Sequence, residues 1–376
     1  MDNLGLEQDE VEEHGMDVSP DFGLDTFLAW RAPRYGSANP SRMDNPVWSW
    51  LVQTRLCGFR ANEVFDGPSS FEVGPCWSFQ RFGQTRLDLA DGSRLYIGGE
   101  HEDYYDPDFH IYNDVVVVRP DGSVEIYTYP REVFEPTDFH SATLAGDTVV
   151  IVGAMGHENA RRFGSTPVYL LSLQTFAISR METSGAEPGW LCRHAAALSD
   201  CGVFLHVSGG EIMPGPRLHW EKNLDRWELD LTSWRWRCAQ PSDWQRCIIA
   251  PLDRKRNHLF EFRTVLWEQE RWTDTADAAL AALTGQLGMA PDFALFEARY
   301  LLGGAARPLE WTEADDYNVF RVTVDGLVLR VTESGCPVSV VVEGRLAQGR
   351  FEALMATLAE TLTQLSGRPW AVQQRA

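Results

Sequence analysis

Between Glu100 and Asp114 the chain reads EHEDYYDPDFHIYND, with six carboxylates, two histidines and three tyrosines in fifteen residues. Within it Glu102, Asp106 and His110 are spaced E-x-x-x-D-x-x-x-H. Two carboxylates and one imidazole suit Fe2+ or Mn2+ and can leave coordination positions open to a ligand. Pro107 interrupts the segment, so the three cannot stack on one helical face. His101 and Asp103 are spare donors. Tyr104, Tyr105 and Tyr112 offer rigid contact area with a polar tip, and serve either a bound partner or the packing of the loop. A second set of candidates, His140, Arg193 and His194, lies outside this stretch. The chain holds no G-x-S-x-G, P-loop, H-E-x-x-H or Rossmann fingerprint.

These residues sit in an internal repeat. GQTRLDLADGSRLYIGGE from Gly83, HSATLAGDTVVIVGAMG from His140 and HAAALSDCGVFLHVSGGE from His194 align beneath one another. Each reads as a strand, a turn and a second strand reaching a glycine position: Gly98-Gly99, Gly153-Ala154 and Gly209-Gly210. A variable loop follows, then a second hairpin: DVVVVRPDGSVEIYTY, PVYLLSLQTFAISRM and RWELDLTSWRWRC. Starts at Gln84, His140 and His194 give periods of 56 and 54. CIIAPLDRKRNHLFEFR, from Cys247, is expected to open a degenerate fourth copy.

Four-stranded units with Gly-Gly after the second strand and aromatics late in the unit resemble kelch repeats, over about residues 76–263. The resemblance implies a mainly β fold, a kelch-like β-propeller of three clear blades and a degenerate fourth, closed, open or shared. Up-and-down strands then place Gln84, His140, Arg193 and His194 on one face with the loops after Gly99, Ala154 and Gly210. Kelch blades often begin with a His or Arg that hydrogen-bonds neighbouring backbone, so His140, Arg193 and His194 have that role or contact a ligand. The Glu102, Asp106, His110 spacing is similar to the iron-binding signature of the kelch-type nitrile- and thiocyanate-forming specifier proteins. That resemblance implies these three as metal ligands.

Around the repeat, residues 1–40 read as an acidic, disordered tail, with nine acids before Arg31. Residues 41–75 read as a helical lead-in, with one amphipathic helix over DNPVWSWLVQTRLCGFRANEVF capped by Asp44 or Asn45. Residues 264–376 read as a small α+β domain, whose last helix has the apolar face Phe351, Leu354, Met355, Leu358 and Leu362.

Net charge is −21 and the pI about 4.8, so nucleic acid and anionic membranes are poor partners and basic proteins fit better. No long apolar run or basic-then-apolar leader is present, and seven cysteines without a C-x-x-C pair suit a reducing cytoplasm. Lys at 222 and 255 only, against many Arg, suits a GC-rich bacterial genome. Two functions follow. One is a binding protein, of which an immunity-type inhibitor is one form, whose acidic loop face holds a protein or peptide partner through His101, Asp103, Tyr104, Tyr105, His140, Arg193 and His194. The other is an Fe2+- or Mn2+-dependent enzyme acting on a small molecule at the same face.

Overall fold

The computed structural model describes residues 18–101, 109–215, 220–271, 273–310 and 318–374. The chain divides into two compact units, Met1–Pro241 and Ser242–Ala376. It is mainly β, built on several antiparallel sheets.

The first unit carries three meanders, each with its four main strands neighbouring in chain order. The first sheet is Thr85–Asp88, Arg94–Ile97, Val115–Val118 and Val124–Thr128, with Ser41–Arg42 added beside the last strand. The second is Ser141–Ala145, Thr148–Val152, Val168–Ser172 and Ile178–Arg180. The third is Ala195–Leu198, Phe204–Ser208, Arg226–Asp230 and Arg235–Gln240, with Ser184–Gly185 parallel to the last strand. Tight turns set the hairpins. At the first, Gly92 has φ +81° and the Asp91 carboxylate accepts from the Ser93 amide at 2.9 Å.

Because strand side chains alternate between faces, the run Val115–Val118 feeds two cores at once. Val115 and Val117 join Leu95, Ile97, Val149 and Ile151 between the first and second sheets. Val116 and Val118 join Trp48, Leu51, Trp77 and Phe79 on the other side. The second sheet repeats the device, turning Val150 and Val152 toward Leu205, Val207, Leu229 and Trp236 of the third. The third sheet's other face is polar, with His206, Glu228 and Arg237 joined in one ion-pair group. Helices thus cover the first sheet, and a charged face ends the series at the third.

Three expectations are corrected. The tail is ordered well before residue 40. Helix Leu24–Trp30 buries Phe27, Arg31 donates to the Asn62 side chain at 3.0 Å, and the Asn39 amide group makes two 2.8 Å bonds to the backbone of Ile178. The lead-in is not one helix. Asn45 caps Pro46–Thr54, Arg55 turns left-handed at φ +60°, and a new helix runs Gly58–Phe65. The segment from Cys247 opens no fourth repeat. Its strand, Arg246–Pro251, lies between Val338–Val342 and Trp370–Gln374 in the second unit's six-stranded sheet, and helix Leu259–Arg271 follows. Cys247 and Ile249 alternate into that unit's core, where a repeat sheet would offer no partner strands.

In the second unit, helix Gln348–Ser366 buries Phe351, Leu354, Met355, Leu358 and Leu362. Arg299 and the Tyr300 hydroxyl both donate to the buried Glu333 carboxylate, so its charge is met inside the core.

Candidate functional site

Each meander of the first unit begins just after a left-handed residue: Gly83 (φ +62°), Phe139 (φ +49°) and Arg193 (φ +55°). These positions are linked. The Phe139 amide donates to the Gly83 carbonyl at 2.8 Å, and the Arg193 amide to the Phe139 carbonyl at 2.7 Å. The next residue continues the link through side chains. His140 Nε2 lies 2.8 Å from Thr85 Oγ1, and His194 Nε2 lies 2.8 Å from Ser141 Oγ.

In the first two meanders the glycine after the second strand makes room for this. A Cβ on Gly98 would sit 2.3 Å from the Thr137 carbonyl oxygen and 3.2 Å from His140 Cε1. On Gly153 it would sit 2.3 Å from the Leu191 oxygen and 2.7 Å from His194 Cε1. His140 and His194, only 5% and 8% exposed, thus tie consecutive sheets together. Burial pushes their pKa down to about 3 and about 4, keeping both rings neutral. Arg193 is exposed, with its guanidinium 4.4 Å over the Phe139 ring.

Beyond Gly99 a two-residue ladder forms, Glu100 opposite Ile111 and His101 opposite His110. Glu102, Asp103, Tyr104, Tyr105 and Asp106 lie outside the described residues. His101 is buried. His110 sits between Tyr35 and Tyr112, with ring centroids 5.9 and 4.7 Å away. Burial, then Arg81, lowers its pKa to about 4, so the imidazole is neutral. Of the three implied metal ligands it alone is described, and among the described residues no three His, Cys, Asp or Glu gather for a metal.

Tyr112 packs the ladder down. Its hydroxyl accepts from the Ser78 amide at 3.1 Å and its ring lies 3.4 Å from the Arg81 guanidinium. Arg81 pairs with Asp114 at 2.5 Å, and Trp77 Nε1 donates to the same carboxylate at 2.7 Å.

The sequence reading missed Asp138, which is 0% exposed. Oδ1 accepts from the Gly156 amide at 2.6 Å, while no donor among the described residues reaches Oδ2. The Glu100 side chain lies near it. Burial raises the Asp138 pKa, opposed by the Gly156 amide and then by Glu100, with His157 also near. The signal was in the repeat. Two residues before each meander's first aligned position stand Phe82, Asp138 and Cys192, so one copy carries a charge where the others are apolar or neutral.

Two exposed aromatics flank this region. Phe82 pairs with Glu100 along the backbone and is 66% exposed. Phe109 is 48% exposed, its ring 6.1 Å from that of His157.

No family model and no curated protein matches the chain. Among solved structures 73 chains match. One, titled "Structure of YjhT", is 12% identical, covers 44% of this chain and has a TM-score of 0.29. The match spans about half (53%) of that neighbour's length. A likeness at this level decides neither fold nor function.

Proposed function

We propose that the first unit is a kelch-like repeat array of three blades, forming part of a propeller, that holds a basic protein or peptide partner. The binding face is the one bearing the ladder Glu100–His101 and His110–Ile111. One observation carries this reading: two exposed aromatic rings, Phe82 opposite Glu100 along the backbone and Phe109 against His157, stand at the ladder from which the acidic segment springs. The intervening segment adds Glu102, Asp103, Asp106 and Asp108, in a chain of net charge −21. Exposed aromatic area supplies contact, and the acidic surroundings steer and select a partner of opposite charge. The repeat resemblance is supported by the three four-stranded meanders and the glycine that ends each second strand.

The test is capture by the tagged full chain from its native host, at low and at moderate salt, beside the double variant Phe82→Asp, Phe109→Asp. A basic protein retained by the parent at low salt, weakened by salt and lost in the variant supports the reading. Identical recovery on parent and variant places the binding face elsewhere.

A further inference from the structure

In the first two sheets the end of the second strand receives the segment that leads into the next sheet. The Gly99 amide donates to the Thr137 carbonyl at 2.8 Å, and the Ala154 amide to the Leu191 carbonyl at 2.9 Å. Gly98 and Gly153, at φ +57° and +75°, are crossed so closely by these segments that no side chain fits. All four positions are buried. A second series runs alongside, from the Phe139 amide to the Gly83 carbonyl and from the Arg193 amide to the Phe139 carbonyl.

The third sheet keeps the same notch and leaves it open. Gly209 has the same left-handed backbone, φ +66°, and Gly210 follows it. Yet Gly209 is exposed, and a Cβ built on it meets no atom within 4 Å. Among the described residues no carbonyl takes the Gly210 amide, and no amide donates to the Arg193 carbonyl. Ala195 and Ala197, in the first strand of that sheet, are exposed as well.

Backbone groups left open beside a glycine notch suit another backbone. A further apolar-faced sheet does not fit, because the third sheet's outer face carries His206, Glu228 and Arg237. A second copy of this chain fits poorly too. Its own lead-in segment, residues 81–84, belongs to a sheet whose outer face is closed by helices. An extended peptide fits, since it needs only the notch and the edge.

We propose that the notch at Gly209 and Gly210 docks an extended peptide segment of the partner protein. The segment takes the place that residues 137–140 and 191–194 hold on the two sheets before, and so continues an interface the chain already makes twice. Its carbonyl accepts from Gly210, and its amide donates to the Arg193 carbonyl. Where His140 and His194 meet a hydroxyl, it meets Ala195, so glutamine, as at Gln84, suits that position better than histidine. The inference rests on the reading of the first unit as a partner-holding repeat array, and the acidic ladder plays no part in it.

The experiment titrates the full chain into a fluorescein-labelled peptide, QRFGQTRLDLA, and follows fluorescence anisotropy. This is the chain's own segment 80–90, with glycine at the left-handed position and glutamine after it. Moderate salt keeps the acidic surface from holding the peptide. Gly209→Asn is the test variant, because asparagine accepts left-handed backbone and its side chain stands in the notch. Gly202→Asn, at φ +71° in an exposed turn with no atom near, is the control. Urea denaturation checks that both variants fold. The expected result is saturable binding to the parent with a Kd below about 1 mM, at least about tenfold weaker in Gly209→Asn and within about twofold in Gly202→Asn. No saturable binding to the parent, or equal binding to Gly209→Asn, overturns the notch. A parent that is dimeric by light scattering and monomeric as Gly209→Asn overturns the choice of a partner over a second copy. None of these outcomes touches capture through Phe82 and Phe109, so the reading of the acidic face stands or falls by its own test.

Discussion

The Ser141 hydroxyl and the His194 imidazole meet at 2.8 Å although 53 residues separate them in the chain. Thr85 and His140 repeat that contact one sheet earlier. Each histidine heads its own sheet and reaches the hydroxyl at the start of the sheet before. In the third sheet the hydroxyl position is Ala195, and no fourth histidine follows in register. The latch therefore stops where the series of sheets stops. A serine beside a histidine suggests catalysis on paper, but here both partners are buried and the pair joins sheets.

This arrangement predicts an asymmetry between two substitutions. Gln84 occupies the histidine's position in the first sheet and directs its side-chain amide to the Gly98 carbonyl at 3.4 Å. Glutamine is thus a side chain this geometry already accepts. His140→Gln is expected to cost about 1 kcal/mol, one buried hydrogen bond remade imperfectly. His140→Ala is expected to cost about 2–4 kcal/mol, because it leaves a cavity and an unpaired Thr85 hydroxyl. Urea denaturation of both variants checks the order. Equal losses would show that glutamine restores neither the hydrogen bond nor the packing, and that the imidazole ring itself is required.

The Arg81–Asp114 pair makes a second prediction. Arg81 has its side chain fully buried and Asp114 nearly so, and Asp114 also accepts from Trp77. Asp114→Ala strands a buried guanidinium against the Tyr112 ring, and a loss of about 3–5 kcal/mol is expected. Arg81→Met with Asp114→Leu removes both charges and should recover part of that loss. Denaturation midpoints of the single and double variants decide it. A single variant as stable as the parent would mean that water reaches Arg81.

The repeat was legible because its signals are local. A turn, a glycine and alternating apolar residues recur within a few positions, and the observed strands begin one residue after Gln84, His140 and His194. The helix Gln348–Ser366 was legible for the same reason, since its apolar spacing lies within one element. The errors concern partners far away in the chain. Arg246–Pro251 has a strand's composition, but its neighbours are Val338–Val342 and Trp370–Gln374, about a hundred residues on. Local pattern cannot say which sheet a buried strand joins. The break at Arg55 was hidden because a non-glycine residue takes the left-handed conformation there. Asp138 is a single acid far from the dense acidic run, and only its isolation within the repeat marks it.

Metal content tests the two functional readings against each other. His110 is a neutral imidazole at the end of the segment holding Glu102 and Asp106, so its lone pair is available to a metal. The binding-protein reading predicts Fe and Mn well below one per chain, measured by mass spectrometry on untagged protein purified without chelator, even after anaerobic Fe2+ addition. Near one Fe or Mn per chain, lost in Asp106→Asn with the fold intact, would replace that reading with the metal-dependent enzyme.

The latch also sets a pH dependence. His140 and His194 have folded pKa values of about 3 and about 4, below the ordinary 6.5, because burial penalises the imidazolium. The unfolded chain therefore binds more protons than the folded one below about pH 6.5. Stability from these two groups is complete above that pH and falls as pH drops toward 4 and then 3. Each histidine contributes a slope of up to about 1.4 kcal/mol per pH unit in that window. Carboxylates add their own slopes at the acid end, so the clean comparison lies between about pH 6.5 and 5. The double variant His140→Gln, His194→Gln carries no ionisable latch. It is expected to be less stable than the parent at pH 7, with the gap narrowing by about 2 kcal/mol or more as pH falls to 5. Urea midpoints at pH 7, 6 and 5 on both proteins give the answer. A gap that stays constant across that range would mean that the rings take up protons without leaving the latch.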